Sequence, residues 1–261
     1  MDDYDKIAIV EIVFYSFFFV AGVFLCWKHG FSKSDGWRFA IILALARLIG
    51  SSLRLATISD PTNVSLYVGW LTLNGLGLAP LVLLLLGLLQ RLFDSINRQG
   101  HVVVKPIVQR AILLLMIVAM ILIIVGGTSS SYTLHGNSPS IHYPATSKAG
   151  IALLIVVFVL VVFESLMAFR HQGLIAEGEH RVLIAVFISL PFLLVRLVYG
   201  AILILGNIHG SVWLFLGAGV IMEIVVVLVC EAVGLTLAAL PKTERKNESA
   251  GQNSREEHSL A

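Results

Sequence analysis

Charge is what this chain has least of. Asp, Glu, Lys and Arg make up 13% of its 261 residues, against 57% hydrophobic residues, and the mean hydropathy is +0.91. Soluble domains carry about 25% charged residues, so an ordinary water-soluble core is excluded and the chain falls in the membrane class. The formal net charge is +2, and its Lys and Arg are spread over short connections rather than gathered on one face. That excludes a nucleic-acid surface.

Cysteine is nearly missing. Cys26 and Cys230 both fall near the inner ends of apolar runs, on a side where disulfides rarely persist, and read as packing residues. Cys26 beside Trp27 and Lys28 also fits reversible acylation. The last apolar run holds no lysine, which excludes a retinal Schiff base. Every histidine falls in a connection or at a helix end, which removes the helix-embedded cluster of a ceramidase-type zinc amidase. His135 and His142 share a loop without a carboxylate and make no metal set. Serines inside the runs have no histidine beside them, so a Ser-His-acid triad has no support. Neither an acidic-Arg-Tyr triplet after the third run nor an Asn-Pro motif in the seventh is present, so G-protein coupling gains none. No metal or cofactor is called for.

What is present is a series of long apolar segments. Runs of about 20 apolar residues cross a bilayer as helices. Seven are expected: Ile7 to Trp27, Arg38 to Ile58, Leu66 to Leu89, Val108 to Gly126, Lys148 to Phe169, Val182 to Leu205 and Val212 to Thr236. The expected fold is an all-α, polytopic seven-transmembrane-helix bundle over residues 1–240, with a polar, disordered cytosolic tail over 241–261. The first run follows the acidic MDDYDK and precedes Lys28 and Lys33, the reverse of a secretory signal, and reads as a retained span. Asn63-Val64-Ser65 is a sequon set too close to the membrane for glycosylation. The longest connection, Gly127 to Ser147, contains no Lys or Arg and reads as a polar surface loop. Outside the spans 13 Lys and Arg fall on one side and 2, Lys6 and Lys148, on the other. The positive-inside rule then puts the N-terminus outside or lumenal and the C-terminus in the cytosol.

The few buried charges carry the functional information. A midplane arginine costs about 2.5–3.5 kcal/mol on insertion scales and needs an acceptor or water inside the bundle. Counting at 1.5 Å per residue, Arg47, Arg196 and Glu223 each fall about 9 to 11 residues from the outer end of their spans, with Asn74 close by. Glu11 and Arg54 both fall about 4 residues in, on consecutive spans, and are expected to form a structural ion pair. Glu164 and Glu231 lie deeper, where they are expected to reach water or basic loop residues. Pro191 is expected to kink its helix and free carbonyls near Arg196. Two arginines against one glutamate at the midplane leave a positive excess, which calls for a further acceptor or an anionic ligand.

Through the segments LALARLIGSSLRLA, GLAPLVLLLLGLLQR, IIVGG and LPFLLVRLVYGAI, the chain resembles an uncharacterised family of fungal seven-helix membrane proteins, a domain of unknown function, over about Glu11 to Leu240. The resemblance implies a fungal origin and an extracellular N-terminus, and it brings no activity. Fungal lipid-translocating exporters and integral-membrane terpene cyclases are similar in helix count alone.

Three functional readings follow. The first is a protein that binds, senses or transports a small polar-headed or anionic amphiphile in an intramembrane cavity lined by Arg47, Asn74, Arg196 and Glu223, with membrane lipids as its other partners. The second is an intramembrane enzyme, such as a terpene-cyclase-like protein using buried carboxylates as acids. The third is a structural scaffold in which the charges only orient helices.

Overall fold

The computed structural model describes residues 2–29, 35–98, 104, 106–135, 138–175, 179–206 and 211–237; the expected tail lies outside them. The protein is an all-α bundle, and the described residues hold seven helical segments long and apolar enough to cross a membrane. Helices are imposed here by the solvent, because in hydrocarbon every backbone N–H and C=O must be paired within the segment.

The first two spans are α1 (Asp3–His29) and α2 (Asp35–Ser59). The third, Val64–Asn97, is broken at Gly77 into α3 (Val64–Leu76) and α4 (Leu78–Arg98). Next come α5 (Pro106–Thr128), α6 (Ala145–Arg170) and α7 (His180–Gly206). The last span, Val212–Thr236, is assembled from a short α8 (Val212–Leu214), a π-helical stretch Phe215–Ile221 and α9 (Met222–Thr236).

The expected spans are all present, and most begin or end a few residues beyond the expected limits. The long connection between the fourth and fifth spans is more ordered than a surface loop. It holds β1 (Ser131–His135) and β2 (Ser138–His142), paired antiparallel with Ser131 opposite His142.

α4 is the central helix. Leu81, Leu84, Leu85, Leu88, Leu89 and Leu92 are almost fully enclosed, so it packs on more than one side rather than through a single stripe. α3 behaves differently, since none of its residues is fully buried although its sequence is just as apolar. It lies as a plate against α2 and α5 at the hairpin end of the bundle. Gly126 lets α5 and α6 close there: a Cβ on it would stand 2.5 Å from the backbone nitrogen of Ser147.

Candidate functional site

Side chains from five spans meet at the level of the α3–α4 break. Arg47 of α2 donates through Nε and Nη2 to the two carboxylate oxygens of Glu223 at the start of α9, and through Nη1 to the side-chain oxygen of Asn74 on α3. Such bidentate, charge-assisted pairing is the strongest form available to an arginine. Arg196 of α7 approaches the same carboxylate, with Nε 3.4 Å from Oε2, and gives Nη2 to the backbone oxygen of Asn74 at 2.9 Å. The Tyr15 hydroxyl of α1 donates to Glu223 Oε1 at 2.8 Å. Arg47, Arg196, Glu223 and Tyr15 are all buried, and every one finds its partner on another helix.

Local sequence explains this convergence. α3 ends at Leu76, so the carbonyls of its last turn are open to partners outside the helix, and Arg196 takes that of Asn74. Gly77 supplies the room: a Cβ there would lie 2.8 Å from Arg47 Nη2. Pro191 stays inside a continuous α7, so the carbonyl that meets Arg196 comes from α3 and not from a proline-freed turn of its own helix. The π-helical stretch ends at Ile221, two residues before Glu223, and π segments inside α-helices are frequent at functional sites.

Glu11 corrects two expectations. Its partners are Arg47, 3.5 Å away, and the Ser51 hydroxyl, which donates to it at 2.8 Å. Arg54 pairs instead with Asp5 at 3.0 Å and with Asp2 at 3.7 Å, under the rings of Tyr4, Tyr67 and Trp70. The reason is register. α1 begins at Asp3 rather than Ile7, which brings Asp5 to the depth of Arg54 and leaves Glu11 a further turn and a half down, at Arg47. The midplane group is therefore two arginines with two glutamates, and the expected positive excess is cancelled. Glu164 and Glu231 are also not where expected: they are 3% and 4% exposed. Among the described residues neither oxygen of Glu164 accepts a hydrogen bond.

A cleft of about 80 Å³ opens between α3, α5, α6 and α7 at the hairpin end. Arg196, Asn74, Tyr199 and Gly200 form its deep end, Leu71, Ile151 and Leu203 its apolar walls, and Ser130 and Tyr143, which flank the hairpin, its mouth. Of the four candidate ligand-binding residues, Asn74 and Arg196 line this space, whereas Arg47 and Glu223 stand behind them. The Arg196 side chain reaches toward Gly200, with Nη1 4.0 Å from where a Cβ would be. Sequence reasoning missed Tyr15, Glu11 as a midplane member, and the cleft's hydroxyls. A tyrosine one turn below a buried acid on the same helix was the available signal for the first.

The chain belongs to the family described as a domain of unknown function (DUF7702), whose model matches residues 1–240. No curated protein matches the chain, and no solved structure does.

Proposed function

We propose that this integral membrane protein binds a small polar-headed amphiphile in the cleft between α3, α5, α6 and α7, with Arg196 and Asn74 engaging the head group and the chain lying along the apolar walls. The observation that carries this reading is the buried Arg196 guanidinium, which lines the cleft and brings Nη1 to within 4.0 Å of a Cβ built at Gly200. A buried arginine that borders a cleft inside a bilayer calls for acceptor atoms there.

The charge balance favours an uncharged head group. Arg47 and Arg196 are already matched by Glu11 and Glu223, so an anion would add an uncompensated negative charge at low dielectric, which is costly. A carbonyl, ester or hydroxyl oxygen accepts from Arg196 without that penalty. The same geometry disfavours an acid role for Glu223, whose two oxygens are engaged by Arg47, Arg196 and Tyr15 and do not line the cleft. Arg47 and Glu223 are then positioning residues, which hold Asn74 and Arg196 at the cleft. The excess of basic connections on one side supports an N-terminus outside or lumenal, which puts the cleft in the outer half of the membrane.

Native mass spectrometry of the purified protein tests this. Wild type should retain a neutral lipid adduct that Arg196→Leu and Gly200→Leu both lose. A Cβ at position 200 meets its nearest atoms, Ile151 Cδ1 and Arg196 Nη1, at 3.7 and 4.0 Å, so the backbone accepts a side chain there and the outer carbons of a leucine occupy the end of the cleft beside Arg196. An adduct retained in both folded variants would remove the cleft as the binding site.

A further inference from the structure

The cleft holds a second polar element one helical turn above Arg196. Ser147 on α6 is 2% exposed, and its hydroxyl has no hydrogen-bond partner among the described residues; the Thr72 hydroxyl on α3 is likewise buried without one. Both residues line the cleft. Buried hydroxyls are normally satisfied, and two without a protein partner, on helices that border the same cleft, are unusual.

Their placement is built by the Gly126-Gly127 pair at the end of α5. A Cβ on Gly126 would stand 2.2 Å from Ser147 Oγ, and one on Gly127 would stand 2.9 Å from Thr72 Oγ1. The two glycines thus clear space on either side of α5 for the two hydroxyls. Ile151 faces Gly200, with its Cδ1 3.7 Å from a Cβ built there, at the level of the Arg196 guanidinium. Ser147 lies one turn before Ile151, about 6 Å nearer the hairpin.

Beside Thr72 and Val68 the cleft adjoins a shallow surface groove formed by Val64, Ser65, Gly69 and Thr128. The helix along that side is α3, which has no fully buried residue.

We infer that Thr72 and Ser147 form a hydroxyl-reading subsite that selects a single-chain lipid with a hydroxylated ester head group, a monoacylglycerol-type molecule, over a lipid with one polar atom. The ester carbonyl accepts from Arg196, the glycerol hydroxyls exchange hydrogen bonds with Ser147 and Thr72 a turn above, and the acyl chain leaves sideways past Val68 and Gly69 between α3 and α5. This rests on the cleft being a lipid site and adds what it discriminates.

The test uses the full chain in phosphatidylcholine nanodiscs with two diazirine probes of equal chain length, a monoacylglycerol and a fatty alcohol, read by crosslinking and peptide mass spectrometry. Wild type should prefer the monoacylglycerol by roughly tenfold, the worth of one to two net hydrogen bonds. Thr72→Val with Ser147→Ala should lose that preference while labelling by the alcohol is unchanged, and Thr72→Ser should keep it. Crosslinks should map to α3 and α5. Equal labelling of wild type by both probes, or a preference that survives the double substitution, overturns the hydroxyl subsite while leaving the cleft as a lipid site. Labelling by neither probe overturns the lipid site itself, and this inference with it.

Discussion

Substituting Gly77 and Gly75 by alanine gives a paired test of how tightly the midplane cluster is held. Gly77 has φ −54° and ψ −28°, a conformation alanine adopts without strain, so the only cost at 77 is steric. The new methyl would lie 2.8 Å from Arg47 Nη2 and 3.1 Å from Cζ and Nε. A free arginine would swing aside, but this one is fixed by Glu223, Asn74 and Glu11 and must give up part of that network. Losing one hydrogen bond to a charged group costs about 1.5–3 kcal/mol, and alanine returns at most about 1 kcal/mol in helix propensity. At Gly75 the nearest atom is Ile123 Cγ2 at 4.0 Å, so alanine gains propensity without a clash. Thermal unfolding in nanodiscs should therefore move in opposite directions, down for Gly77→Ala and level or up for Gly75→Ala. In an Arg47→Leu background the Gly77→Ala loss should vanish. Equal midpoints for the two single variants, or a loss at 77 that persists without Arg47, would refute the reasoning.

Other outcomes follow from the same contacts. Glu11→Gln and Arg47→Leu should be coupled by roughly 0.5–3 kcal/mol in a double-mutant cycle, as should Asp5→Asn and Arg54→Leu, whereas Glu11→Gln with Arg54→Leu should be additive; coupling in the last cycle would restore the pair expected from sequence. Gly126→Ala should abolish folded expression, because the nearest atoms to its methyl include backbone of α6 that cannot rotate away; a stable Gly126→Ala protein would contradict the α5–α6 packing. Tags at the two ends, read by selective permeabilisation, should report the N-terminus outside and the C-terminus in the cytosol, and finding both ends on one side would contradict an odd number of spans.

Much of the architecture was legible because hydrocarbon imposes a simple length rule. The shared depth of Arg47, Arg196 and Glu223 came from counting residues, since spans are straight enough for 1.5 Å per residue to hold. The partner of Glu11 was not legible in the same way. It depended on whether α1 starts at Asp3 or Ile7, and the acidic first turn, which favours a helix N-terminus, was the signal that could have moved the boundary. The break at Gly77 lies inside an unbroken apolar run, where hydropathy has nothing to register. The π-helical stretch is a backbone property, with Gly217 and Gly219 its only trace in the sequence. The pairing of β1 with β2 lies in a polar segment without apolar alternation, which read as loop. The cleft itself depends on which small residues face one another across helices, and that is set by packing rather than by any one segment.

The central claim is that Arg196 donates to a neutral lipid head group in the cleft, and a high-resolution cryo-electron microscopy map of the protein in nanodiscs made from its own membrane lipids tests it most directly. The account predicts elongated density between α3, α5, α6 and α7, with a head-group atom within hydrogen-bonding distance of Arg196 Nη1 and a chain emerging between α3 and α5. A cleft closed by the walls, or an Arg196 whose third nitrogen is taken by a protein oxygen with no lipid density beside it, would contradict it.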